Sequence, residues 1–399
     1  MLSPQRHRPQ VHIQFVRFTG YFSKKGRGHR GGLRKEMSML FLTRCFGVTG
    51  SDAERDPGEE QAIIDEITQR VLSLQAKSAA QQNRPLGRGT HPKGICVGAE
   101  FEVLDHALGN EPALAARLAK GIFAKPGVYP AIVRFGNADP KINSDFKPDV
   151  RSLSFSVDLT QGGTALSTTA GRQDFSLQNA RPLPINDSKA FLAVMKVLTA
   201  SNPGVGLWSL SLKDKLRALR AIMLAQIQSH QAIKAYQQLR YWSNVPFRHG
   251  PIDVVEYSAT PSQTNSANPL QKSNPKALQD ELIRHLKEDS NMSSFDFGVQ
   301  FLDSQRMTYW GKRYDANFWI ENASLVWNES EAPFHRVARL TLIPNSQLPQ
   351  AASHATYFDV TGHSTSDSRP VGSINRARWR AEAASKEARW RAAGTGSQN

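Results

Sequence analysis

His91 lies in the run Arg88-Gly-Thr-His91-Pro-Lys-Gly, directly after a polar loop. An imidazole there either exchanges protons as a general acid and base or makes an ordinary structural hydrogen bond. Arg134 stands at the end of the apolar run Tyr129-Pro-Ala-Ile-Val-Arg-Phe135. A guanidinium in such a run either exits to solvent or pairs with an anion, because an unpaired buried cation is costly. Asp149-Val-Arg151 reads as a local ion pair. Arg378, Glu382 and Arg389 have the i, i+4, i+11 spacing that keeps residues close to one helix face. The blandest account of that trio is a solvated face with one salt bridge, worth about 0.3–0.5 kcal/mol. Two cysteines, Cys45 and Cys96, make neither a disulfide framework nor a CxxC metal site.

These residues must be positioned by a mixed set of elements. Asp56-Pro-Gly-Glu-Glu60 has the proline and acids of a helix start, and Ile63, Ile64, Ile67, Val71 and Leu74 give that helix one apolar face to about Ser78. Gln81–Gly89 is a polar loop. Strand signals follow at Ile95–Val103, Tyr129–Phe135, Val150–Val157 and Asp174–Asn179, with a helical pattern over Pro112–Phe123. From Asp187 to about Arg240 the pattern is helical, broken at Ser201–Gly206; Leu212, Leu216, Leu219, Met223 and Ile227 read as a core-facing stripe. Strand signals return at Ile252–Tyr257, Asp296–Leu302, Ala323–Trp327 and Arg336–Ile343. Residues 258–275 read as a polar linker, Lys272–Lys287 as a helix and Asn375–Ala393 as an Arg- and Ala-rich helix. Strands, then helices, then strands again predict an α+β fold with a mostly antiparallel sheet.

The 399 residues carry a net charge of +15, but unevenly. Residues 1–50 hold +9 and residues 369–399 hold +5, leaving about +1 on the rest. Basic ends on a neutral body argue against a nucleic-acid-binding face. The expected organisation is a basic, disordered arm over 1–55, one domain over 56–393 and a disordered tail over 394–399. The arm is rich in Arg and poor in acids, as organellar targeting segments are, and Met37 or Met39 is an alternative start. No run approaches the ~18 apolar residues of a spanning helix. The default setting is reducing and cytoplasmic, with an organelle as the alternative.

Taken in order, the segments resemble the catalase superfamily, in particular its smaller catalase-related haem peroxidases. The resemblance runs from Arg88 to Arg389. It rests on Arg88-x-x-His91-x-Lys-Gly, Gly98-x-x-Phe101-Glu-Val103, Val133-Arg134-Phe135, Asp149-x-Arg151-Ser-Leu-Ser-Phe and Gln173-Asp-Phe-Ser-Leu-Gln-Asn179. Tyr241-Trp-Ser-x-x-Pro246-Phe-x-x-Gly250, Phe295-Asp-Phe-x-Val-Gln300, the stretch from Ala323 to Ala338, and Arg369-Pro-x-Gly372-x-Ile-Asn-Arg-Ala-Arg378 continue it. The resemblance implies an antiparallel β-barrel with helices packed outside, haem b as cofactor, and a peroxide substrate, either hydrogen peroxide or an organic or fatty-acid hydroperoxide. It implies an oxidoreductase of oxidative-stress chemistry and leaves a homo-oligomer open. His91 and Asn179 take the distal catalytic roles; Arg88, Arg134 and Arg389 hold the haem propionates; Phe191 packs on the macrocycle; Arg378 flanks the proximal ligand.

The departures are as informative. The family's proximal ligand is a tyrosine four residues after an arginine, and here that position is Glu382, the candidate iron ligand. A carboxylate needs no help to ionise but is a weaker donor than a phenolate. The alternative is that Glu382 pairs with Arg378 and the chain is a non-enzymatic relic of the fold with weak or no haem binding. Gly136 stands where the family has a serine that orients the histidine. Thr90 stands where efficient catalases have valine and members acting on fatty-acid hydroperoxides have threonine. Gln178 is the alternative distal amide by a shift of one residue.

Overall fold

The computed structural model describes residues 57–160, 171–288, 292–365 and 367–394. The basic arm over 1–55, and all of the tail but Gly394, lie outside the described residues. The first helix, α1 (Pro57–Gln81), matches its sequence signals. Four strands follow as one antiparallel meander: β1 (Gly94–Val103), β2 (Gly127–Asn137), β3 (Arg151–Asp158) and β4 (Arg172–Gln178). Between β1 and β2 the expected helix is split into α2 (Pro112–Leu118) and a 3-10 turn at Gly121–Phe123. Gly121 has φ of +53°, which an α-helix does not accommodate.

The helical middle is α3 (Ser188–Thr199), α4 (Pro203–Trp208) and α5 (Leu212–Ser229). Asp187 caps α3 by accepting the Ala190 N–H at 2.8 Å. The chain then returns to strands: β5 (Tyr241–Trp242), β6 (Phe247–His249), β7 (Asp253–Pro261), β8 (Ser294–Phe301) and β9 (Phe334–Gln347). The helices among and after them are α6 (Ala277–Glu288), α7 (Ala316–Ile320), α8 (Gln350–Ala355) and α9 (Ser373–Ala392).

β5 pairs with both β4 and β7, and β9 pairs with both β8 and β1, which closes the sheet. The result is an eight-stranded antiparallel barrel, β1-β2-β3-β4-β5-β7-β8-β9, with β6 hanging from β7 outside the ring. Period-2 alternation fills it. Val97, Phe101, Leu153, Phe155, Val157, Phe295, Phe297 and Leu340 are fully buried. Phe155 stacks on Phe175 at 4.7 Å and meets Phe297 edge-on at 5.4 Å. Each such ring contributes about 2–3 kcal/mol by burial. Side chains of the opposite parity on β3, Ser152, Ser154 and Ser156, point out of the barrel toward whatever covers it.

Helices cover the outside. α9 packs on α1 through Ile64, Ile67, Ala377 and Ala381, with Phe191 of α3 against the same cluster. The buried Glu60 carboxylate ties the three helices together: it accepts from Ser188 of α3 and from Ser373 and Arg376 of α9.

Three expectations are corrected. Ala323–Trp327 is a turn and loop rather than a strand; Leu325 and Trp327 are buried because they pack with Met307, Phe318 and Trp319 in a second cluster, while Val326 is exposed. The linker begins only after Pro261, because Ser258–Pro261 still pair with β8. The stripe on α5 faces outward, with Leu212 75%, Leu216 40% and Met223 39% exposed. The small residues Ala218 and Ala221, together with Leu224, are buried instead; Ala218 packs against Ala193 and Val197 of α3, where close helix approach requires small side chains.

Candidate functional site

One cavity lies between the outer face of β2–β4 and the helices α1, α3 and α9. Its volume is about 340 Å³. His91, Arg88, Arg134, Phe191, Arg378, Glu382 and Arg389 all line it. Residues up to 301 positions apart in sequence thus reach one space. The barrel strand brings Arg134, the polar loop brings Arg88 and His91, α3 brings Phe191, and α9 brings the last three. Val71, Leu183, Ile185, Val245, Val360 and Ile374 add apolar lining, and Thr90, Gln178, Asp359 and Lys386 add polar and charged groups.

His91 is held in an unusual backbone conformation, with φ of +55°. Its carbonyl accepts from Arg134 Nη2 at 2.8 Å, which fixes the loop to the strand. Burial first, then the guanidinium charges of Arg134, Arg378 and Arg88, pushes its imidazole down to about 3. The ring is therefore neutral at physiological pH, and its surroundings disfavour the imidazolium.

The arginines define the electrostatics. Arg134 is buried, and its guanidinium lies over two glycines that face each other across the β1–β2 ladder, Gly94 and Gly136. A Cβ on Gly94 would come 2.5 Å from Arg134 Nη2, and one on Gly136 would come 2.8 Å from Nη1. The serine expected of the family at position 136 has no room while Arg134 lies there. Arg88 donates to the Thr356 carbonyl and Arg389 to the His354 carbonyl at 3.1 Å. The Nε atoms of Arg88, Arg134 and Arg389 are buried without a hydrogen-bond partner. Among the described residues no carboxylate pairs with any of the three. Burial lowers all three guanidinium pKa values; Arg134 further lowers Arg88 and Arg389, and Arg389 further lowers Arg88. Such a cluster calls for a bound anion of more than one charge.

On the opposite wall, Arg378 Nε donates to Glu382 at 2.6 Å, and the Glu382 side chain is 41% exposed. The two candidate amides are placed differently. Asn179 is buried, and its side-chain oxygen accepts the Arg151 N–H at 2.6 Å, so it serves the β3 backbone. Gln178 lines the cavity. The signal was present in the strand: Leu177 is buried inward, so period 2 turns Gln178 outward with Ser176, Ser154 and Ser152. These serines also line the cavity and had not been singled out; Ser154 and Ser176 lie 3.2 Å apart across the ladder. Asp149 and Arg151 pair at 3.5 Å below this layer, as their spacing suggested.

A haem fits this donor set on its acidic edge: three arginines that lack a carboxylate partner match two propionates. The axial side fits less fully, because Arg378 engages the Glu382 carboxylate. Among the described residues no group of three His, Cys, Asp or Glu is arranged to hold a free metal ion, and no helix is long and apolar enough to cross a membrane.

No family model matches the chain, and no curated protein matches it. Solved structures do. A fungal catalase is similar with a TM-score of 0.57 at 15% identity, over 79% of this chain and 62% of that one. Catalase A from Saccharomyces cerevisiae has a TM-score of 0.57 at 16% identity, over 79% and 63%. A bacterial catalase has a TM-score of 0.50 at 14% identity, over 79% and 59%. The chain spans about three fifths of the length of these catalases, and the likeness shows that it has the catalase fold.

Proposed function

We propose that the chain binds haem b in the cavity beneath α9 and acts on peroxides there, as a member of the smaller catalase-related branch. The observation that supports this most strongly is the meeting of three arginines that lack a carboxylate partner and a neutral, half-buried histidine in one cavity. Arg88, Arg134 and Arg389 hold the propionates, and Phe191 packs on the ring plane. Bound haem supplies the oxidising iron that a polypeptide lacks. His91 takes the proton from the inner oxygen of the hydroperoxide and returns it to the outer one, so the departing group leaves as water or an alcohol. Gln178, rather than Asn179, donates the distal amide hydrogen bond, since Gln178 lines the cavity and the buried Asn179 does not. Thr90, the serines and Gln178 make the distal side polar, which suits a hydrated peroxide head.

The Arg378–Glu382 pair favours a second reading, a catalase-fold protein that holds haem weakly or not at all. Titration of the full chain with ferric haem separates the two. The first reading expects a Soret band that saturates at one haem per chain. It also expects affinity to fall at least tenfold in Arg88→Met/Arg134→Met, because two charge-assisted contacts are lost. Colourless protein after reconstitution supports the second reading. If haem binds, His91→Ala should lower peroxide turnover about 10²–10⁴-fold.

A further inference from the structure

A second cavity, of about 490 Å³, lies where β6 meets the segment just before α9. Arg248 of β6 and Arg369 of that segment both line it. The two stretches pair antiparallel. Phe247 faces Pro370, the Arg248 N–H donates to the Arg369 carbonyl at 2.9 Å, and the Gly250 N–H donates to the Asp367 carbonyl at 2.9 Å. Arg248 and Arg369 are therefore directly opposed, with their side chains on one face of the ladder. Like charges at opposed positions repel. Both arginines are exposed, so water moderates the repulsion without removing the charge. Among the described residues no carboxylate pairs with either of them. The two acids lining the cavity are engaged elsewhere: Arg117 holds Asp253 at 2.8 Å, and Arg376 holds Glu321 at 2.7 Å. Arg376 is matched in turn, because it also meets the buried Glu60 at 2.6 Å. Pro251, Ile252, Val254, Ile320, Pro370 and Val371 add apolar lining, and Ile252 is 89% exposed.

We propose that this cavity binds a small phosphomonoester with an apolar ester group. The two guanidiniums carry two positive charges, and a phosphomonoester carries about −1.5 to −2 at neutral pH on three acceptor oxygens. Each planar arginine fork can donate two parallel hydrogen bonds to such oxygens. A carboxylate, with one charge and two oxygens, satisfies a single fork. The apolar side chains beside the arginines, Ile252 above all, receive the ester group. The volume also falls within the range of about 300–1,000 Å³ typical of small-molecule pockets. No lining residue is shared with the first cavity, so the inference is independent of haem and of the function proposed above.

Calorimetric titration of the full chain with phenyl phosphate tests the site, at low ionic strength and about pH 7.5, where the dianion dominates. Wild type should bind it saturably, about tenfold more tightly than benzoate, which offers the same ring with one charge. Arg248→Gln/Arg369→Gln should weaken binding about tenfold or more. Both side chains are exposed, and circular dichroism checks the fold; each single substitution should lose part of the affinity. Arg248→Lys/Arg369→Lys, which keeps the charge without the forks, should fall between wild type and the glutamine variant. Inorganic phosphate should bind more weakly than phenyl phosphate, and Ile252→Ser should narrow that gap. Equal affinity for the two in wild type overturns the ester group. Absence of phenyl phosphate binding by wild type overturns the whole proposal. So does binding that the double glutamine variant leaves unchanged. Its loss in Arg88→Met/Arg134→Met would then assign it to the first cavity, and its survival there to the basic segment 1–50.

Discussion

Replacing His91 by Asn in the haem-free protein removes a titrating group while keeping a side chain that tolerates φ of +55°. The imidazole has its ordinary pKa of 6.5 in the unfolded chain and about 3 in the folded one. Between those values the unfolded state binds the extra proton, so stability falls as the pH falls. This contribution is fully intact only above the unfolded value. Taken over the whole interval, the linkage amounts to about 5 kcal/mol at ~1.36 kcal/mol per unit. From about pH 7 to about pH 5, wild type should lose about 2 kcal/mol more than His91→Asn, or nearer 1 kcal/mol where cavity water hydrates the ring. His106, His249, His335 and His354 are also lowered by burial, but both proteins contain them and the difference cancels them. Urea unfolding of both proteins at half-unit pH steps measures the gap. Parallel stability curves would refute the argument, because an imidazole near Arg134, Arg378 and Arg88 must resist protonation.

Glu382→Tyr should raise haem affinity and move the ferric spectrum toward a phenolate-ligated form, since Arg378 favours the phenolate; an unchanged spectrum and uptake would remove Glu382 from the axial position. Gly136→Ser, which restores the family's residue, should cost about 1–3 kcal/mol in denaturant unfolding, because its Cβ would lie 2.8 Å from Arg134 Nη1 and 2.9 Å from the Lys93 carbonyl. Lys93→Met should cost about 3–5 kcal/mol by the same measurement: the Lys93–Asp145 pair is buried at 2.6 Å, and the carboxylate would be left without its cation. Gln178→Leu should lower peroxide turnover in haem-loaded protein while Asn179→Asp leaves Soret formation intact; the reverse pattern would return the amide role to Asn179.

The elements were largely legible in the residues because their periods are local. Alternation in Leu153-Ser-Phe-Ser-Val157 fixes an inward and an outward face for β3, and Pro57 with its acids starts α1. The arginine and histidine positions were legible as well, through their order along the chain. Two matters were decided only by tertiary packing. The α5 stripe turned outward because α3 approaches closely enough to demand Ala218 at the contact, and hydrophobicity alone does not measure that distance. The absence of room at Gly136 is a matter of where the Arg134 side chain lies, and no spacing along the chain encodes that. Sequence periodicity sets which residues share a face; contact between faces distant in the chain decides what each face meets.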